Sequence, residues 1–299
     1  MNFDGILFFP VTPFDAAGHV DADLLAGHVA TGLAHGAGGV FPSCGTGEFH
    51  ALSAGEAATV VATTVTAVAG AVPVVAGAGG PLGHALEVAR HAADAGADAL
   101  LVLPPYLVGA PQAGLVAYVE AIAAASDLPV IVYHRANAQF TADSMRRLAE
   151  NPKVVGFKDG VGDIGAAQLI VRAVARAGRE DFAFFNGLLT AELTQAAYRG
   201  IGIALYSSAA FAMAPEVANA YYRAYIEGDE ARRRELLDGF YAPLVALRDE
   251  TPGFGVSLVK AGLRLGGTPV GGVRAPLVDP TPAQEARLAD ILAAGRALV

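Results

Sequence analysis

The chain alternates short apolar runs with longer, alanine-rich stretches of helical character. The runs at 5–11, 39–42, 72–76, 97–103, 129–133, 154–158, 182–185 and 201–206 are rich in Val, Ile, Leu and Phe and are bounded by Gly or Pro, which predicts strands. Between them, 22–35, 53–69, 82–95, 112–125, 142–150, 164–177 and 191–199 predict helices. Strand-then-helix units repeated through the first 210 residues or so predict a parallel sheet with right-handed crossovers. Eight is the number of strands that closes a (β/α)8 TIM barrel. The strands are apolar on both faces, as buried parallel strands are. The rival is an open doubly wound sheet, which often carries a Gly-rich dinucleotide loop after its first strand. Here the first strand runs into Pro10 and Pro13, and the barrel is preferred.

After Tyr206 the strand signals stop. The segments 215–228, 229–249, 256–265 and 282–297 read as helices, with Pro282 and Gly228 as start and stop signals. The predicted organisation is α/β: a catalytic barrel over residues 1–212 and a C-terminal helical extension over 213–299 packed on it, with no low-complexity linker between them.

Composition narrows the function. Of 299 residues, 54% are hydrophobic and 16% charged, which excludes a disordered chain. The net charge of −9 comes without a basic stripe, which argues against nucleic acid as a partner. The single cysteine, Cys44, rules out a disulfide within the chain and fits a reducing compartment. The N-terminus lacks a basic segment followed by a long apolar one, and the apolar runs are short, so neither a signal peptide nor a membrane span is expected. The expected location is cytoplasmic.

In a TIM barrel the chemistry lies at the C-terminal ends of the strands. The residues just past the predicted strands are Ser43-Cys44-Gly45-Thr46-Gly47-Glu48, Pro104-Pro105-Tyr106, Tyr133-His134-Arg135, Lys158-Asp159, Asn186-Gly187 and Tyr206-Ser207-Ser208. Lys158 is the sharpest of them. It is one of three lysines, with Lys153 at the opposite end of a strand and Lys260 in the extension. It closes an apolar run, and alternation puts it on the face of Val154 and Gly156, where Gly156 leaves room beside it. An amine in an apolar barrel loses its charge more readily and becomes a nucleophile. A lysine at a strand end can equally snorkel to solvent, and the residues alone do not separate the two readings.

Tyr133 ends the neighbouring strand and suits a proton relay, although a rim tyrosine needs no such role. Gly45-Thr46-Gly47 offers backbone N–H groups that could cradle a carboxylate, or is a plain turn. Arg135 could clamp a second carboxylate, or lie on the surface. His28/His35 and His84/His91 are spaced two helical turns apart, about 10.5 Å, too far to share a metal ion. Gly77-Ala78-Gly79-Gly80 lacks a full dinucleotide fingerprint. Asp159 and Asp163 read as a loop and a helix cap. No metal and no cofactor are expected.

Taken together, several stretches resemble one family. They are Phe9-Pro10-Val11-Thr12-Pro13-Phe14-Asp15, Gly45-Thr46-Gly47-Glu48-Phe49, 132–138 around Tyr133, Gly156-Phe157-Lys158-Asp159-Gly160, Phe185-Asn186-Gly187 with Thr190-Ala191-Glu192, and Tyr206-Ser207-Ser208-Ala209. The chain resembles, over essentially its whole length, the dihydrodipicolinate synthase and N-acetylneuraminate lyase superfamily of Schiff-base barrels. The Phe-Lys-Asp-Gly and Tyr-Ser-Ser stretches point within it to the subgroup of dehydratases acting on 5-dehydro-4-deoxyglucarate. The resemblance implies that Lys158 forms the Schiff base, that Tyr133 relays protons and that the Gly45-Thr46-Gly47 loop binds the carboxylate beside the ketone. The synthases and lyases usually carry two hydroxyl residues in that loop. Gly45 precedes Thr46 here, as the dehydratase subgroup would have it. His134 and Ala136 depart from the asparagine and the polar residue expected at those positions.

The implied activity is dehydration and decarboxylation of a six-carbon keto diacid to 2,5-dioxopentanoate, water and CO2. Candidates for its hydroxyls and distal carboxylate are Arg135, Asn137, Asn186, Ser207 and Ser208. By the same resemblance the assembly would be a homotetramer built as a dimer of dimers, with Tyr106 near a subunit interface. Three competing readings are an aldolase of the same superfamily releasing pyruvate, a non-catalytic barrel that binds a sugar acid, and a metal-dependent aldolase, for which the sequence supplies no ligand set.

Overall fold

The computed structural model describes residues 3–299. Its first two thirds are β1 (Ile6–Phe8), α1 (Ala22–Ala34), β2 (Ala37–Val40), α2 (Ala54–Val68), β3 (Val75–Gly80), α3 (Leu82–Asp94), β4 (Ala99–Pro105), α4 (Gln112–Ala124), β5 (Val130–His134), α5 (Ala142–Ala149), β6 (Val154–Asp159), α6 (Ile164–Arg176), β7 (Ala183–Asn186), α7 (Gln195–Gly200) and β8 (Leu205–Ser208). The strands pair in parallel in the order β2-β1-β8-β7-β6-β5-β4-β3. The ring closes between β2 and β3, where Val40 bridges Val74 and its N–H donates to the Pro73 carbonyl at 2.9 Å. This is the (β/α)8 barrel that the repeating pattern predicts.

Local chemistry sets the element boundaries. Ser53 and Glu56 form a reciprocal capping box at the start of α2, and Asp21, Thr141 and Asp163 cap α1, α5 and α6 through their side chains. Glycines allow the strands of β3 and its neighbours to approach. A Cβ on Gly77 would meet the Ser43 carbonyl oxygen at 2.0 Å, and one on Gly79 would meet Leu103 Cβ at 2.6 Å. The strand therefore runs on through Gly80, four residues past the end of its apolar run at Ala76.

The chain continues as α8 (Pro215–Glu227), α9 (Glu230–Leu236), α10 (Ala242–Arg248), α11 (Phe254–Leu265) and α12 (Pro282–Ala297). A π-helical turn over Leu237–Tyr241 joins α9 to α10, so the single helix predicted over 229–249 is one rod with a wider turn inside it. The helix predicted over 191–199 is instead a 3-10 turn, Ala191–Leu193, followed by α7, because Thr194 breaks the helical dihedrals at φ −112°. One apolar cluster runs from the barrel strands into these last helices and includes Phe8, Phe211, Phe240, Leu258 and Leu288. Among the described residues, no helix is long and apolar enough to cross a membrane.

The extension also reaches back to the strand ends. The segment after α11 ties to the first β-turn through Phe14 N–H donating to the Val270 carbonyl at 3.1 Å. Arg274 donates to the carbonyls of Ala51 and Gly18 and pairs with Glu56, which is held well down, to about 2, mainly by that guanidinium.

Candidate active site

Parallel register fixes which strand-end residues share the barrel interior. Tyr133 on β5, Lys158 on β6 and Phe185 on β7 stand in one row, and His134, Asp159 and Asn186 in the next. Successive residues point to opposite faces, so the first row faces inward and the second outward. The Lys158 amine lies inside, its Nζ 4.2 Å from the centre of the Phe9 ring and 4.5 Å from that of Tyr133. Burial lowers it to about 7 from a usual 10.5. The ring faces favour the cation, at about 0.5–2 kcal/mol each. The loss of water around the buried amine outweighs them.

The room for Lys158 comes from a glycine other than the one singled out in the sequence. A Cβ on Gly156 would meet the Ala183 carbonyl oxygen, Phe185 and Ile131 at 3.1–3.2 Å, so that space serves packing between strands. A Cβ on Gly187 would lie 2.6 Å from Lys158 Cε. Gly187 also positions Tyr133, whose hydroxyl donates to the Gly187 carbonyl at 2.9 Å. Arg135 Nη1 donates to the same hydroxyl at 3.1 Å. Burial raises the Tyr133 phenol, which Arg135 only partly offsets, so it keeps its proton at neutral pH.

These residues open onto a cleft of about 1060 Å³ lined by Phe9, Gly45, Thr46, Tyr106, Tyr133, Arg135, Lys158 and Ser207, among others. Gly47 lies just behind it, where its carbonyl accepts from Thr12 Oγ1 at 2.7 Å. Glu48, at φ 56°, turns the chain back after this loop and ends in a buried ion pair with Lys260, 2.6 Å long.

Three of the predicted substrate contacts lie elsewhere. Asn186 is fully buried and spends its amide on the Ala191 carbonyl, Thr194 Oγ1 and Gln195 Oε1, while its own oxygen accepts from Leu188 N–H. Ser208 is buried and donates to Glu192 Oε1 at 2.5 Å. Asn137 donates to the carbonyls of Pro105 and Val108 and so braces the loop carrying Tyr106, away from the cleft lining. Tyr106 is 64% exposed at the cleft rim.

The two departures from the family pattern separate in the same way. His134 points outward, where its Nδ1 accepts from Phe140 N–H at 2.8 Å and burial keeps the ring neutral. Ala136 lines the cleft in a left-handed conformation, φ 51°. Asp159 holds the following turn by accepting from Val161 N–H at 2.9 Å and from the Tyr198 hydroxyl, and Asp163 caps α6. Cys44 is fully buried, and burial pushes its thiol up to about 12, which makes it a packed residue and no nucleophile.

Sequence reasoning passed over one side of the cleft. Arg248 at the end of α10, Thr190 after β7, and Phe254 with Leu277 from the extension complete its wall. Thr190 stood within a quoted stretch, but Arg248 has no motif around it and is ninety residues from Lys158 in sequence, so only the packing of α10 reveals it.

Comparison with known proteins agrees with this architecture. The pattern of the Dihydrodipicolinate synthetase family matches residues 2–295. A Streptomyces griseus protein named probable 5-dehydro-4-deoxyglucarate dehydratase is 54% identical over 297 residues, covering 99% of this chain and 92% of its own. The 5-dehydro-4-deoxyglucarate dehydratase of Pseudomonas putida is 41% identical over 93% of this chain and 91% of its own. The crystal structure of dihydrodipicolinate synthase from Oceanobacillus iheyensis superimposes with a TM-score of 0.90 at 28% identity, over 99% of this chain and 97% of that one. With a match along nearly its whole length and relatives at this identity, the chain belongs to the dihydrodipicolinate synthetase family.

Proposed function

We propose that the chain is a lyase that converts 5-dehydro-4-deoxyglucarate to 2,5-dioxopentanoate, water and CO2 through an imine on Lys158. The observation that carries this reading is the Lys158 amine itself: inside the barrel, lowered to about 7, and facing the cleft beside Tyr133. The relatives named for this reaction make the diacid the substrate of choice.

The amine attacks the ketone and water leaves, giving a protonated imine that acts as an electron sink. The neighbouring CH2 loses a proton to form an enamine, which expels the next carbon's hydroxyl as water. The conjugated imine then accepts the electrons of the bond to the distal carboxylate, which departs as CO2. The remaining dienamine takes up a proton on carbon, its enol becomes the aldehyde, and water hydrolyses the imine to return the lysine. Tyr133 is the group placed to carry protons, since its hydroxyl keeps its proton and its ring lies against the amine. Thr46 and the Gly45-Thr46-Gly47 backbone are assigned the carboxylate next to the ketone, and Ser207 and Arg135 the hydroxyls beyond it. Asn137, Asn186 and Ser208 act through positioning alone. No cofactor is required, because the lysine supplies the sink. We assign the assembly as a homotetramer, with Tyr106 at a contact between subunits.

Product analysis tests the reading. Incubation with the diacid should release CO2 and 2,5-dioxopentanoate in equal amounts. Release of pyruvate, detected with lactate dehydrogenase, would transfer the chain to the aldolases of the family.

A further inference from the structure

We infer that Arg248, contributed by the helical extension, is a specificity-determining residue that binds the carboxylate farthest from the imine. The inference rests on the keto-diacid reading above. Its side chain lines the cleft yet is only 15% exposed. Nη1 donates to Thr190 Oγ1 at 2.8 Å and Nε donates to Asp249 Oδ1 at 2.7 Å, which fixes the guanidinium plane. Nη2 has no partner among the described residues. Asp249 is 60% exposed, so solvent screens much of its compensation.

The anchor is built for this. Thr190 holds a left-handed conformation, φ 51°, which is costly for a β-branched residue. Two residues on lies Glu192, whose carbonyl accepts from Tyr221 of α8 at 2.6 Å and whose carboxylate accepts from Ser208. The loop after β7 is thereby held between barrel and extension, with the Arg248 tether three residues past Gly187. Three residues of chain span at most about 10 Å, so the Thr190 anchor stays near the glycine packed against Lys158, and Gly187, Thr190, Arg248 and Lys158 all line one cleft. Arg135 already donates to Tyr133 and is assigned the substrate hydroxyls nearer the imine. Arg248 is the cleft's other arginine, on the wall the extension supplies.

The reaction itself says what Arg248 can contribute. A cation on the leaving carboxylate keeps its partner through imine formation and dehydration and loses it only as neutral CO2 forms, so it binds substrate and the earlier transition states alike and speeds none of those steps. Removing it should therefore act on KM. In Arg248→Gln, KM for the diacid should rise at least about tenfold, the order of a lost charge-assisted hydrogen bond. Turnover number should stay within about threefold. Half-saturation for borohydride trapping of pyruvate, which has no distal carboxylate, should be unchanged. Arg248→Lys should fall between. An unchanged diacid KM overturns the assignment, as does a rise in both the KM and the pyruvate half-saturation, which would mark a disturbed scaffold. If the wild-type protein releases no CO2 from the diacid, the substrate reading itself has failed and the role of Arg248 falls with it.

Discussion

The Lys260 ammonium and the Glu48 carboxylate meet at 2.6 Å with neither side chain accessible to solvent. Glu48 directly follows the Gly45-Thr46-Gly47 loop, and Lys260 belongs to α11 of the extension, so one ion pair joins the proposed carboxylate cradle to the C-terminal helices. Lys260 also donates to the Gly272 carbonyl at 2.7 Å, and Glu48 Oε2 accepts from Arg274 N–H at 2.8 Å. The pair holds a loop that must bend against its preferred dihedrals at Glu48.

Breaking one side of this pair should cost far more than losing a contact. Lys260→Met leaves a carboxylate buried without its cation, a loss of about 3–5 kcal/mol. Urea denaturation should show the loss, and adding Glu48→Gln to Lys260→Met should recover part of it. Equal stability of the single variant and wild type would mean that solvent already reaches the pair.

Gly187 faces a different constraint. A Cβ there would sit 2.6 Å from Lys158 Cε and 2.9 Å from the Asp159 carbonyl oxygen. Gly187→Ala should therefore displace the lysine while the surrounding barrel persists. A misplacement of the order of 1 Å lowers turnover by about a hundredfold. Steady-state rates on a variant with wild-type circular dichroism measure this. Wild-type turnover would show that the lysine can move aside at no cost.

Lys158 should leave a pH signature in both rate and stability. Attack on a ketone requires the free amine, so kcat/KM should rise with pH through about 7 and level off above it. For stability, the native state holds this proton only up to about pH 7, whereas the unfolded chain holds it to about 10.5. The unfolded state therefore binds more protons between those values, and stability rises with pH across that window. The penalty for burying the amine is fully present below it and vanishes above it. Lys158→Met removes the penalty. The variant should be inactive yet melt at a higher temperature than wild type, by more near pH 6 than near pH 9. A melting difference independent of pH would contradict a lowered lysine.

Much of this was legible in the sequence because the barrel repeats one simple unit. Helices with side-chain caps began close to where the pattern put them, as at Ser53 and Asp163. Two strands were displaced. Glycines 77, 79 and 80 read as loop but continue β3: at 77 and 79 a Cβ would strike the neighbouring chain, and Gly80 takes a φ of 78°. The apolar pair Ile201 and Ile203 read as strand, but Ile201 ends α7 and Ile203 packs on Ala167 and Tyr198, so β8 starts at Leu205.

In the site, alternation put Lys158 on the inward face, and the same rule places two other candidates. Asn186 follows the inward Phe185, and Ser208 follows Ser207, which lines the cleft, so both must point outward. What no local pattern conveys is Arg248, which reaches the cleft only through the packing of the extension on the barrel.

The most direct test of imine chemistry at Lys158 is mass spectrometry of the protein after borohydride reduction with 5-dehydro-4-deoxyglucarate or pyruvate. A stable adduct confined to the peptide containing Lys158, absent from Lys158→Met, is the predicted result. A protein that turns over the diacid with no trapped adduct, or with the adduct on Lys153 or Lys260, would contradict it.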